Sequence, residues 1–102
     1  MIKLTVMYPN SADLKFDKDY YVNQHGQLLR DLLGDTILSS DINFGIAGAS
    51  PEQPAPYAVI ANLTFESLES FHKSFGTNAE KILADLPNFT NVSPEVQISE
   101  VL

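Results

Sequence analysis

His25 is the residue in this chain best placed to do chemistry. It lies in the stretch Phe16 to Gly34, FDKDYYVNQHGQLLRDLLG, whose spacing predicts one amphipathic helix. At about 100° per residue, Tyr21, His25, Leu28, Leu29 and Leu32 share one stripe, and Asp19, Asn23, Gln24, Gln27, Arg30 and Asp31 share the other. An imidazole on an apolar face, one turn after a phenol, is a candidate general acid or base. A neutral ring there can accept a proton from a carbon acid or a phenol. The competing reading is a core histidine with a satisfied hydrogen bond, because titratable groups in apolar surroundings mark sites only statistically.

Other side chains could complete such a site. Tyr21 could orient the imidazole or a substrate oxygen. Tyr8 ends the first predicted strand on its apolar face, and Tyr57 begins the third; each could put a hydroxyl at a pocket mouth or anchor a strand end. Asn62 is an amide in an apolar strand and needs a partner, from a ligand or from the protein. Phe71, Phe75 and Phe89 are expected as core or pocket wall. His72 is expected at the edge of its helix, partly exposed and without a role. Tyr20 falls on the polar side, as a surface or dimer-contact aromatic.

The positioning elements follow from periodicity. Ile2, Leu4, Val6 and Tyr8 alternate with Lys3, Thr5 and Met7 as a strand, ended by Pro9-Asn10-Ser11. Asp17 is a suitable N-cap for the helix, Gly26 an anomaly that could bend or break it, and Gly34 its stop. Thr36 to Gly48 alternates as a long second strand, with Gly45 and Gly48 marking a bend. Gly48 to Pro56 has loop composition. Tyr57 to Phe65 is a third strand, apolar on both faces and so expected in mid-sheet, covered on both sides. Ser67 opens a second helix that Gly76 is expected to end. Thr77-Asn78-Ala79-Glu80 has the spacing of a capping box for a third, short helix closed by Pro87. Glu95 to Leu102 is a last strand. The order strand, helix, strand, strand, helix, strand predicts an α+β, ferredoxin-like βαββαβ fold: a four-stranded antiparallel sheet with helices on one face. A second copy is the simplest cover for the other face, which predicts a homodimer.

Bulk properties narrow the partners. The chain has 102 residues, so a single domain over 1–102 is expected. The net charge of −7, with six scattered basic residues, argues against nucleic acid and against an anionic membrane surface. With no cysteine, thiolate nucleophiles, disulfides and cysteine-based metal sites are excluded. No apolar run reaches membrane-spanning length, and the start lacks the pattern of a signal peptide; a cytoplasmic protein is expected. There is no HExxH, no glycine-rich phosphate loop and no Gly-x-Ser-x-Gly elbow. No metal and no cofactor are therefore expected.

The segments IKLTVMYPN, FDKDYYVNQH, PYAVIANLTFESLESF and ADLPNF (Ala84 to Phe89) occur in an order and spacing that resembles the EthD-like family. This is the ethyl tert-butyl ether degradation accessory group of the dimeric α+β barrel superfamily. The resemblance implies a homodimer whose sheets form a shared barrel, and a small apolar pocket near the helix-borne histidine. Phe16, Asp17, Tyr20, Tyr21, His25 and Leu28 match the family pattern. Gly26-Gln27 replaces the bulky residue and proline found in relatives.

Three functions follow as expectations. The first is a cofactor-independent isomerase, dehydratase or oxygenase acting on a small apolar, oxygen-bearing molecule. His25 would move the proton, Tyr8, Tyr21, Tyr57 and Asn62 would hold oxygen, and Phe71 and Phe75 would exclude water. The second is a non-catalytic binding or accessory protein using the same pocket. The third, weaker, is haem binding through His25.

Overall fold

A computed structural model describes all residues, Met1–Leu102. β1 (Ile2–Pro9) leads into a helical rod built of α1 (Lys18–Tyr20), a π-helical turn (Tyr21–His25) and α2 (Gly26–Leu33). A 3-10 turn (Gly34–Thr36) precedes β2 (Ser39–Phe44) and β3 (Tyr57–Phe65). α3 (Leu68–Ala84), a second 3-10 turn (Leu86–Asn88) and β4 (Glu95–Glu100) complete the chain. The strands form one antiparallel sheet in the order β2-β3-β1-β4. This is the ferredoxin-like α+β arrangement.

Period-two alternation turns Leu4, Val6 and Tyr8 of β1 and Val59, Ala61, Leu63 and Phe65 of β3 to the same side of the sheet. The helices pack on that side and divide the core in two. One cluster joins Leu4, Leu63 and Phe65 to Leu33, Phe71 and Ile82. The other is aromatic and joins Tyr8, Val59 and Ala61 to Tyr21 and Phe89. The opposite face carries Lys3, Thr5, Met7, Ile60, Asn62 and Asp41, and no part of the chain covers it. β3 is an interior strand, but this chain covers only one of its faces.

Local chemistry sets the helix ends. Asp17 Oδ1 accepts from the Tyr20 backbone N–H at 3.0 Å, and Ser67 Oγ accepts from that of Ser70 at 3.0 Å; both are N-caps. Gly34 ends α2 at φ 52°, ψ −128°, a backbone region that only glycine enters without strain.

Three expectations are corrected. The second strand spans only Ser39–Phe44, because the chain after Gly34 first makes a 3-10 turn. Gly26 neither bends nor breaks the rod; the irregularity lies one turn earlier, where the Gly26 N–H reaches back to the Tyr21 carbonyl. Finally, α3 runs unbroken through Gly76. The hydroxyl of Thr77 donates to the Lys73 carbonyl (2.7 Å) instead of capping a new helix. The Asn78 amide likewise donates to the Ser74 carbonyl and, across to α2, to that of Leu32. The apolar stripe of Phe71, Phe75 and Ile82 continues across Gly76, and its burial outweighs the roughly 1 kcal/mol a mid-helix glycine costs.

Candidate functional site

The π-helical turn sets the site. Five residues without a proline fit into one wider turn, and such turns are frequent at functional sites. Tyr21 and His25 both face inward from it, each about 4% exposed, with rings stacked at 5.5 Å between centroids. Phe89, brought back by the 3-10 turn after α3, lies 4.7 Å from the imidazole. His25 is thus held between two aromatic rings.

The imidazole has one protein partner, Asp85. His25 Nδ1 lies 2.8 Å from Asp85 Oδ2. An ionised carboxylate only accepts, so Nδ1 carries the hydrogen and donates it. The other carboxylate oxygen accepts from the Tyr20 hydroxyl at 2.7 Å and from the Asn88 amide at 2.9 Å. Burial pushes the Asp85 carboxyl up, but the hydrogen bonds from Tyr20, Asn88 and His25 outweigh it and hold the group below the usual carboxylate range. Asp85 therefore stays ionised and, in a neutral imidazole, selects the tautomer with the hydrogen on Nδ1 and the lone pair on Nε2. Every fully buried polar side-chain atom has a hydrogen-bond partner. Nε2 has none, so it meets open space.

His25 lines a cavity of about 530 Å³ between the sheet and the helices. His25, Tyr8, Tyr21, Phe71 and Phe75 are all on its wall, with Val6, Leu29 and Ala61. The remaining lining is mostly aliphatic. Burial pushes the Tyr8 phenol far up, reinforced by its neighbour Tyr21. Burial also pushes Tyr21 up to about 12. Both phenols remain protonated at neutral pH and can act as donors to an oxygen.

Two residues expected at the site are elsewhere. Tyr57 is outside the cavity, and its phenol is raised by a hydrogen bond to Glu95. Asn62 is on the far side of the sheet. Its Oδ1 accepts from the Thr5 hydroxyl at 2.8 Å, and its Nδ2 donates to Asp41 Oδ1 at 3.0 Å. The protein itself thus satisfies this amide. His72 is exposed, more so than its expected place at the edge of the apolar stripe. Tyr20 is a third departure: its hydroxyl supports Asp85. No group of three or more histidine, aspartate and glutamate side chains is close enough to hold a metal ion.

Asp85 is the residue the sequence reading missed. One signal was available. Asp85 caps the C-terminus of α3, where the helix macrodipole disfavours negative charge. A carboxylate in that position needs a compensating donor, and His25 is one, 60 residues away.

No curated protein matches this sequence. Residues 10–93 match the model of the EthD domain. An EthD-like protein from Ralstonia eutropha JMP134 is 31% identical, over 99% of this chain and 91% of that one, with a TM-score of 0.93. An ethyl tert-butyl ether degradation (EthD) family protein from Bacillus halodurans C-125 is 17% identical, over 100% and 99% of the two chains, with a TM-score of 0.68. A dimeric protein of ferredoxin-like fold from Bacteroides fragilis NCTC 9343 is 14% identical, over 98% and 95%, at a TM-score of 0.52. With the domain match extending from the end of β1 past the Asp85 turn, and the 31% identical relative superposing over almost the whole chain, this protein belongs to the EthD family.

Proposed function

We propose that this protein takes a small apolar, oxygen-bearing molecule into the cavity and that His25 moves a proton on it. The observation that carries the reading is the buried His25 imidazole on the wall of a mostly apolar cavity, paired at 2.8 Å with Asp85 behind it. Asp85 orients the ring and stabilises the imidazolium that forms, as an orienting carboxylate does in other histidine-based sites. The chemistry that fits is proton transfer next to a carbonyl. Nε2 takes the proton from carbon, the C–H pair forms the enolate double bond, and the carbonyl π pair moves to oxygen. A donor phenol, Tyr21 or Tyr8, stabilises that oxygen. In a β,γ-unsaturated carbonyl the enolate is conjugated with the second double bond. The imidazolium then returns the proton to the γ carbon, the oxygen pair re-forms the carbonyl, the double bond shifts to α,β, and His25 is restored.

A binding or accessory role without turnover uses the same cavity and is the second reading; the apolar lining supports it equally. The haem reading fits the residues poorly. Two propionates need basic partners, and Arg30 is the one basic side chain besides His25 on the wall.

We further propose a homodimer joined through the open face of the sheet. Its support is the uncovered face, which includes the adjacent Met7 and Ile60, and the dimeric state named for the Bacteroides fragilis protein. Light scattering at micromolar concentration tests it: twice the chain mass is expected, and a monomer refutes it.

The test of function is native mass spectrometry of freshly purified protein, followed by deuterium exchange into whatever is released. The expected result is a small organic adduct that takes up deuterium from D2O with the native protein but not with His25→Ala. An adduct whose exchange ignores His25 leaves the binding reading; the absence of any bound or bindable apolar molecule refutes both.

A further inference from the structure

The cavity wall has little charge, and its sign pattern is informative. Apart from His25, the side chains on it that carry a charge at neutral pH are Arg30 and Asp41. Asp41 is already engaged on the opposite face of the sheet, where its Oδ1 accepts from the Asn43 and Asn62 amides at 2.8 and 3.0 Å. Arg30 has no carboxylate partner, since the His25–Asp85 pair is the one ion pair in the chain. Its Nη2 donates to the Gln27 side-chain oxygen at 3.1 Å, a neutral acceptor that leaves most of the guanidinium's five donors free.

Gly26 explains where that guanidinium sits. Arg30 is one turn after Gly26, and its side chain folds back along the helix, as long helical side chains do. A Cβ added at residue 26 would lie 3.4 Å from Arg30 Nη1 and 4.0 Å from Cζ. The missing side chain is thus the space over which the guanidinium lies, on the turn that follows His25. Any side chain longer than alanine would compete for that space. Gly26 itself lines the cavity beside Arg30.

We propose that Gly26 and Arg30 form an anion-recognition element at the rim of the cavity. The ligand class this selects is an apolar molecule bearing a carboxylate or comparable anionic oxygen, with its apolar part among Leu29, Phe71 and Phe75. The inference rests on the small-molecule reading above and adds the charge of the ligand to it. In a chain of net charge −7, an anion is not drawn in by the overall field. Its recognition must come from a local cation, and the planar fork of an arginine suits a carboxylate.

The test uses N-phenyl-1-naphthylamine, a neutral fluorescent probe, as the reporter of cavity occupancy. It is displaced by 4-butylbenzoate or by its uncharged counterpart, 4-butylbenzyl alcohol. The native protein should prefer the acid by about five- to tenfold, a contribution set by a charged hydrogen bond that is partly open to solvent. Added salt should weaken the acid and leave the alcohol unchanged. Arg30→Gln, an exposed substitution that keeps helix propensity, should remove the preference without altering probe affinity. Gly26→Leu should reduce the preference by displacing the guanidinium. Equal affinity for acid and alcohol in the native protein, or a preference that survives in Arg30→Gln, overturns the proposal and leaves the small-molecule reading standing. Failure of the probe and both competitors to bind overturns the small-molecule reading, and this inference with it.

Discussion

Replacing Asp85 by asparagine perturbs the site with almost no change of volume. The carboxylate accepts from three donors: His25 Nδ1, the Tyr20 hydroxyl and the Asn88 amide. Asparagine has one accepting oxygen, so one side of the network must face an NH2 group instead. If the NH2 faces His25, the ring changes tautomer, Nε2 gains the hydrogen, and its proton-accepting lone pair is lost. If the oxygen faces His25, Tyr20 and Asn88 lose their acceptor. A hydrogen bond to a charged group contributes about 1.5–3 kcal/mol. Tyr20 and Asn88 are near solvent, and water replaces part of their loss, whereas His25 is buried. The expected destabilisation is therefore about 2 kcal/mol, a fall in Tm of roughly 8–16 °C for a domain of this size. The sign with pH follows from Asp85. Its folded pKa is depressed, so its contribution is complete above the unfolded value near 4 and is lost as pH falls through the folded value. The stability gap between native protein and Asp85→Asn should close in that acid range. Thermal unfolding followed by circular dichroism measures the gap, and long-range ¹H–¹⁵N spectra of the histidines report the tautomer. A Tm within about two degrees of native, together with an unchanged His25 tautomer, would refute the assignment of Asp85 as the orienting group.

Other perturbations probe the scaffold, each read by urea unfolding. Phe89→Ala removes a ring packed against Tyr8, Phe16, Tyr21 and His25 and should cost about 3–5 kcal/mol. Gly76→Ala should stabilise α3 by up to about 1 kcal/mol, because nothing lies within 4 Å of the added methyl; destabilisation would mean that the helix does break there. Gly34→Ala should cost about 1–3 kcal/mol through backbone strain at φ 52°, although it also meets open space. Ser67→Ala should cost about 0.5–2 kcal/mol through loss of the α3 cap.

The central strands and the helix bearing His25 were legible because each turns one apolar face to the layer between sheet and helices. The period of Leu4, Val6 and Tyr8, or of Tyr21, His25 and Leu29, then reports the side that is buried. Legibility failed where the deciding partner is distant in sequence. Gly76 looks like a stop only if the burial of Phe75 and Ile82 on either side of it is ignored. Asn62 looks like a ligand contact until Thr5 and Asp41 arrive from the two neighbouring strands. Tyr57 lies outside the cavity, where the nearby Glu95 raises its phenol, and no local pattern announces it. The His25–Asp85 pair is the extreme case. Helical periodicity places the imidazole, but the carboxylate lies 60 residues on, outside any repeat that includes His25. What the chain does carry locally is a mismatch at each end of that pair: a titratable ring on an apolar stripe, and an acid at the wrong end of a helix dipole. Each is costly alone and each satisfies the other when they meet. Two unrelated local violations that share one resolution are stronger grounds for a built site than either residue's type, since consistency elsewhere in the chain makes such exceptions informative.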